Sequence, residues 1–199
     1  MNDLSQAGFI HPFSLAVQPW QRAALKGQRG RCIWLTGYSG AGKSTLAAHL
    51  EAALLSRGRH TFVLDGDNVR AGLCQDLGMS PEERRENIRR MAEVARLMVD
   101  AGLIVIVAAI SPFEADRQAA RALFDDQTFF LVHVSTSLKE CARRDPKGLY
   151  RAAREGRVRQ FTGVDSPYEA PPVADYVIDT TQASLEHCTQ RLTQALLAG

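Results

Sequence analysis

Gly37-Tyr38-Ser39-Gly40-Ala41-Gly42-Lys43-Ser44 fits the spacing G-x-x-x-x-G-K-[ST], the pattern of a phosphate-binding loop. Glycines at these places let the backbone curl until successive N–H groups point at one anion, and Lys43 reaches the outer phosphate oxygens. Ser44 offers a hydroxyl to Mg²⁺. The helix that starts here turns its positive end to the same point. The flanks distinguish such a loop from a plain glycine-rich turn. Arg31-Cys32-Ile33-Trp34-Leu35-Thr36 reads as a buried strand running into the loop. Thr45-Leu46-Ala47-Ala48-His49-Leu50 reads as an apolar-periodic helix running out of it. Strand, loop and helix in this order predict a nucleoside triphosphate site held by Gly37, Ser39, Gly40, Ala41, Gly42, Lys43, Ser44 and Thr45. What is done with the triphosphate is left open by the loop alone.

The same alternation of strand and helix fills the rest of the chain. A helix over 43–56 stops at Gly58, and Thr61-Phe62-Val63-Leu64 is a strand ending at Asp65-Gly66-Asp67. After a short segment, Ser80 as N-cap, Pro81 at the first helical position and Glu83 closing a capping box start a long helix. Its apolar face is Ile88, Met91, Ala92, Ala95, Met98 and Val99, and Gly102 ends it. Residues 103–109 are a continuous apolar strand of the kind buried on both faces. A helix over 114–124, a strand over 129–134 and a helical stretch over 138–156 follow, the last broken at Pro146-Lys147-Gly148. Tyr176-Val177-Ile178 is the last strand, and an amphipathic helix over 185–197 closes the chain. This pattern predicts an α/β fold, a central parallel sheet of about five strands with helices on both faces. Residues 1–30, punctuated by Pro12, Pro19, Gly27 and Gly30, are expected to form an arm packed on the core, with a short helix over 18–25. Residues 31–199 are expected to form the single domain.

Composition narrows the function classes. A formal net charge of +2 gives no whole-protein field for nucleic acid. The apolar run 103–110 is far too short to cross a bilayer. Met1-Asn2-Asp3-Leu4 lacks the basic start and apolar core of a secretory signal. Cys32, Cys74, Cys141 and Cys188 are scattered with no C-x-x-C pair, and the histidines are equally dispersed. Reduced thiols, no zinc site and a cytoplasmic enzyme that binds neither membrane nor nucleic acid are expected.

In an open parallel sheet, ligands bind beyond the carboxyl ends of the strands. That rule selects the loop, Asp65-Gly66-Asp67, Ile110-Ser111-Pro112 and the stretch after residue 134. Two carboxylates flanking a glycine at a strand end can cap the chain as an Asx turn. Beside a phosphate loop they can instead hold Mg²⁺ and take a proton from an attacking hydroxyl. Asp67 is the preferred base and metal-linked residue, with Asp65 beside it. Arg70, Arg84, Arg85, Arg89 and Arg90 cluster nearby, and several fit ordinary i,i+4 pairs. Arg84 is different, because a positive charge at a helix start opposes the dipole and calls for an anion from elsewhere. Arg70 and Arg84 are therefore candidate anion ligands. The basic segment Arg143–Arg151 around its Pro/Gly break is either a solvated nucleic-acid face or a lid over the triphosphate. A lid fits better, since stray hydrolysis must be excluded during transfer.

With these residues assembled, the chain resembles the adenylylsulfate kinase (APS kinase) family. The resemblance rests on Trp34–Thr45, Leu64-Asp65-Gly66-Asp67-Asn68-Val69-Arg70, Glu86-Asn87-Ile88-Arg89-Arg90 and Ile110-Ser111-Pro112. It continues through Arg144-Asp145-Pro146-Lys147-Gly148-Leu149-Tyr150, Phe161-Thr162-Gly163 and Ser166-Pro167-Tyr168-Glu169. It implies a P-loop kinase fold with a lid around 144–163, and phosphorylation by Mg²⁺-ATP of the ribose 3′-hydroxyl of adenylyl sulfate (APS) to give PAPS. It also implies that Asp67, Arg70, Arg84, Asn87, Ile110, Ser111, Lys147, Phe161 and Thr162 line the acceptor site. Lys43, Ser44 and Thr45 would hold the triphosphate, with Arg144 on the ATP side. Ser111, a catalytic candidate beside Lys43, Asp65 and Asp67, is expected to contact substrate directly, because in-line transfer needs no phosphoserine. A homodimer and association with a sulfurylase are further implications. Met79 stands where the family usually has a phenylalanine against the acceptor adenine, and Ala71 and Ala142 replace a frequent histidine and glutamate. A kinase for another small anionic acceptor, a nucleotide or a sugar acid, is the alternative.

Overall fold

Strand β1 (Arg31–Thr36) runs along the middle of the sheet, between β3 (Ile104–Ala108) and β4 (Phe129–Val134). Outside them lie β2 (Thr61–Asp65) and β5 (Tyr176–Ile178), giving the order β2-β3-β1-β4-β5 with every pairing parallel. The computed structural model describes residues 11 and 13–198; of the arm expected over 1–30, residues 1–10 and 12 lie outside that range.

The inner strands β1, β3 and β4 are mostly apolar because both faces are covered, while Phe62 on edge strand β2 and Val177 on edge strand β5 stay exposed. Ile33 and Leu35 face one way, where Ile106, Val132 and Val134 join Leu46 and Leu50 of α2 (Lys43–Leu55) and Leu192 of α8 (Leu185–Ala198). Cys32 and Trp34 face the other way, with Val105, Val107 and Leu131 against Ile88, Met91 and Ala95 of α4 (Pro81–Asp100). The α4 signals act as expected. Ser80 Oγ accepts from the Glu83 amide at 3.2 Å while Glu83 Oε2 accepts from the Ser80 amide at 3.0 Å. Gly102, with φ 86°, takes the left-handed turn just past the helix end.

Two local features differ from the sequence expectation and a third meets it. Asp65-Gly66-Asp67 does not merely end a strand. Asp65 is also the N-cap of a short helix, α3 (Gly66–Ala71), accepting from the Asp67 amide at 3.0 Å. With Val69 alone buried, six residues carry too little apolar periodicity to announce a helix. Helix α5 (Glu114–Arg121) ends before residue 124, because the amides of Leu123 and Phe124 turn to carbonyls three residues back. The broken stretch over 138–156 is two helices, α6 (Leu138–Arg144) and α7 (Leu149–Arg154). The carboxylate of Asp145 receives the amides of Tyr150 and Arg151, each at 3.0 Å, and so caps α7 just after the proline break.

Helix α1 (Pro19–Lys26) lies on the surface with no buried residue, leaving Trp20 70% and Leu25 87% exposed. The chain behind it is pinned by Gln28, whose buried amide donates to the carbonyls of His60 and Gly102, both at 2.9 Å.

Candidate active site

The carboxyl ends of β1, β2 and β3 open onto one cleft of about 510 Å³. A wider groove of about 960 Å³ lies at the amino ends of the strands, beside α1, but it contains none of the candidate residues. The chemistry collects in the smaller cleft.

The phosphate loop takes the shape its glycines allow. Gly37, Gly40 and Gly42 have φ of 149°, 78° and 98°, and a Cβ on Gly37 would sit 2.4 Å from the Val134 carbonyl oxygen. Lys43 is buried, and its ammonium donates to the carbonyls of Gly37 at 2.9 Å and Tyr38 at 2.8 Å. Burial lowers its pKa to about 8, since no carboxylate is bonded to it and desolvation dominates. Ser44 and Thr45 stand exposed at the mouth, and Ser39, Gly40 and Gly42 line the cleft. Ala41 is fully buried, and its carbonyl accepts from Thr180 at 3.0 Å and Thr136 at 3.3 Å.

The two carboxylates divide. Ser44 Oγ donates to Asp65 Oδ2 at 2.6 Å, so it is Asp65, not Asp67, that stands against the loop's hydroxyl. Asp67 is exposed and forms an ion pair with Lys147, between α6 and α7. Hard oxygen donors at Ser44 and Asp65 next to a triphosphate site fit Mg²⁺, which keeps most of its waters and takes one or two carboxylates plus phosphate oxygens.

The far wall is built on α4. Arg84 is buried and spends its donors on protein: Nε on the Met79 carbonyl at 2.9 Å, Nη1 on Thr162 Oγ1 at 2.6 Å, and Nη2 on the Gln160 carbonyl. It thereby holds the segment with Phe161 and Thr162 against the acceptor side. Burial, then the like charge of Arg70, lowers its pKa, and the Asp165 carboxylate opposes them. Arg70 itself donates to the Gly78 carbonyl at 2.8 Å. One turn along α4 from Arg84, Asn87 is buried in the cleft wall with its Nδ2 unpartnered. An orphaned buried donor facing a cavity points to a ligand group that satisfies it. Ile110, Ser111 and Met79 complete this half of the cleft, with Met79 51% exposed at its rim.

The segment after α6 is seated over the loop. Tyr150 Oη donates to the Ser39 carbonyl at 3.0 Å, and its ring meets Phe161 edge-on at 4.9 Å. Arg144 donates to Thr180 Oγ1 at 2.8 Å and to Glu140 at 2.9 Å. Phe161 is thus largely covered by Tyr150 and offers the cleft only part of its ring.

Two participants, Thr136 and Thr180, carry no signal in the sequence, and Tyr168 enters there only within a family motif. Thr136 and Thr180, with hydroxyls 2.8 Å apart, bracket the Ala41 carbonyl. Tyr168 packs its ring, tilted by 44°, against Tyr38 of the phosphate loop with centroids 4.6 Å apart, and shares a hydrogen bond of 3.1 Å with Thr36. Lone threonines past a strand end carry no spacing signal, so only the sheet order could bring Thr136 and Thr180 together.

A phosphate loop, a facing anion site and a basic segment laid between them are the parts of a P-loop kinase for a small acceptor. The sequence profile of the adenylylsulphate kinase family matches residues 29–179, and the chain belongs to that family. It is 55% identical to an adenylyl-sulfate kinase of Shewanella amazonensis over 184 residues, covering 92% of this chain and 93% of that one. It is 53% identical to the bifunctional enzyme NodQ of Azospirillum brasilense, over 97% of this chain but 31% of the relative. Among solved structures, the Mycobacterium tuberculosis APS kinase in complex with AMPPNP and APS superposes with a TM-score of 0.82. That pair is 45% identical over 85% of this chain and 98% of the other.

Proposed function

We infer that the protein transfers the γ-phosphate of ATP to the ribose 3′-hydroxyl of adenylyl sulfate, giving PAPS and ADP, as a step of sulfate activation. The observation that carries this reading is the cleft itself. Lys43 stands on one wall, while Arg70, Arg84 and the unpartnered Asn87 amide stand on the other, with Asp65 and Asp67 between them. One anion site for the donor and a second for the acceptor are what a phosphosulfate-bearing acceptor requires.

In this reading the phosphate loop and Lys43 grip the triphosphate and stabilise charge that grows on it during transfer. Ser44 and Asp65 hold Mg²⁺, which when bound neutralises phosphate charge. Asp67 takes the proton of the 3′-hydroxyl, and its ion pair with Lys147 holds that carboxylate in place. Arg84 and Asn87 orient the acceptor, with Thr162 and Ser111 donating hydroxyls from its flanks. Arg144 and the segment over 144–163 close the site against water.

The test is ADP release by purified protein with Mg²⁺-ATP. Adenylyl sulfate should stimulate it strongly, whereas AMP, which lacks the sulfate, and gluconate or shikimate should do so at least about tenfold less. Equal rates with the controls would overturn the acceptor assignment in favour of another small anion.

Met79 provides a finer check. If it covers the acceptor's adenine, Met79→Phe should hold kcat within about twofold and leave the KM for adenylyl sulfate equal or up to about tenfold lower, since a ring stacks more rigidly than a thioether. A marked rise in that KM would place the adenine elsewhere.

We also propose a cytoplasmic homodimer. The four cysteines are free and buried, as in a reducing compartment, and Trp20 and Leu25 on α1 offer apolar surface to a second copy. Sedimentation at the mass of one chain would rule the dimer out. The bifunctional relative supports a working association with a sulfurylase, and failure to co-purify with one from a native extract would count against it.

A further inference from the structure

Arg117 is 1% exposed, and its charge has no part in the chemistry described so far. A buried guanidinium is tolerated only when its donors are matched, and one match of this one is Ser111, in the acceptor half of the cleft. Nη1 donates to the Ser111 carbonyl at 2.5 Å, and Nη2 to the Glu169 carbonyl at 2.6 Å. The carboxylate of Glu114 receives Nε at 3.1 Å and pairs with Nη2 as well.

The turn so held is not one the chain adopts freely. Ser111 has φ 40°, a left-handed conformation that costs a residue with a Cβ and persists only where its surroundings impose it. Other pins converge on the same turn. Thr36 Oγ1 donates to the Ile110 carbonyl at 2.7 Å, and the Glu169 amide to the Pro112 carbonyl at 2.8 Å. Trp34 Nε1 donates to Ser111 Oγ at 3.1 Å. An indole N–H can only donate, so Ser111 Oγ accepts there and its own proton is left for the cleft.

We propose that Arg117, held by Glu114, is a positioning residue for the acceptor: it imposes the turn over 110–112 that presents Ile110 and the Ser111 hydroxyl to adenylyl sulfate. This rests on the function proposed above. A clamp that merely joined α5 to the segment around Glu169 would affect stability and leave the two substrates' affinities alone or change them together.

Steady-state kinetics with each substrate varied in turn, alongside thermal melting, separate the two roles in Arg117→Lys and Glu114→Ala. Lysine keeps the charge but cannot fork to two carbonyls. Arg117→Lys should raise the KM for adenylyl sulfate about tenfold or more, equivalent to one lost charge-assisted hydrogen bond, with the KM for ATP within about twofold. Glu114→Ala removes a carboxylate only 24% exposed but leaves Arg117 both of its carbonyl partners, and should raise the KM for adenylyl sulfate about threefold. The positioning role is overturned if both variants keep the parent KM for adenylyl sulfate, or if the two KM values rise in parallel. Should Arg117→Lys not fold, Glu114→Ala decides by the same criterion. A parent enzyme inert toward adenylyl sulfate would instead overturn the functional reading on which the proposal rests.

Discussion

Replacing Lys43 with alanine should lower the rate of phosphoryl transfer about 10³-fold, the cost of removing one preorganised charge from a developing oxyanion. The fold should be spared. The Lys43 ammonium is buried against two carbonyls, with no carboxylate bonded to it. Loss of those hydrogen bonds is offset by release from the desolvation that lowers its pKa to about 8. Melting without nucleotide should therefore move by less than about 4 °C, the shift expected for about 1 kcal/mol in a chain of this size. A collapse in melting temperature would assign Lys43 a structural role instead. The same pKa makes a second, independent expectation. Above pH 8 free Lys43 is largely neutral, and a bound triphosphate favours its charged form, so binding of a non-hydrolysable ATP analogue should take up a proton. Calorimetry in two buffers of different ionisation enthalpy reads this uptake directly. It should approach one proton near pH 9 and vanish toward pH 7, where the free ammonium is already charged; no uptake at pH 9 would contradict the lowered pKa.

Asp67→Asn is the other change with a large expected effect, a fall in kcat of about 10²- to 10⁴-fold, as for removal of a general base. Asparagine keeps the size and a contact to Lys147 but cannot take the proton of a hydroxyl. The KM for ATP should stay within about threefold, because Ser44 is bonded to Asp65 rather than to Asp67. The competing role is as a metal ligand. In that case raising Mg²⁺ would restore the rate and the KM for ATP would rise with the substitution. Asp65→Asn is the matching control and should behave in that second way.

The sheet, its two covered faces and the long helix α4 follow from apolar runs and caps that need no knowledge of their partners. Ser80, Pro81 and Glu83 place the start of α4 within the chain, as its capping box requires. The phosphate loop is equally local, since glycine spacing and one lysine define it. What local pattern does not contain is the pairing of groups far apart in sequence. That Ser44 meets Asp65 rather than Asp67 depends on β2 lying outside β3. That Arg84 turns to Met79, Gln160 and Thr162 depends on where the segment after α7 returns. Arg84 is legible as an oddly placed charge at a helix start, but the partners it takes are the Met79 and Gln160 carbonyls and the Thr162 hydroxyl of the same chain. Arg117 left no mark at all, because an arginine in a charged helix reads as surface until its burial is seen.

The sheet order β2-β3-β1-β4-β5 separates two kinds of inheritance. In the proposed function the triphosphate is gripped mainly from β1 and α2, assisted by Asp65 at the end of β2 and Arg144 beyond β4, while the acceptor is oriented from α3, α4, the turn after β3 and residues 161–162. Backbone hydrogen bonds between β1 and β3 join the two sets at a spacing of about 4.8 Å, set by the sheet and by no side chain. Mutations at positions such as Met79 can thus accumulate on the acceptor side of a duplicated gene without disturbing the phosphate machinery. An ancestor of this architecture could exchange one alcohol for another in small steps, each intermediate still competent to hold its nucleotide.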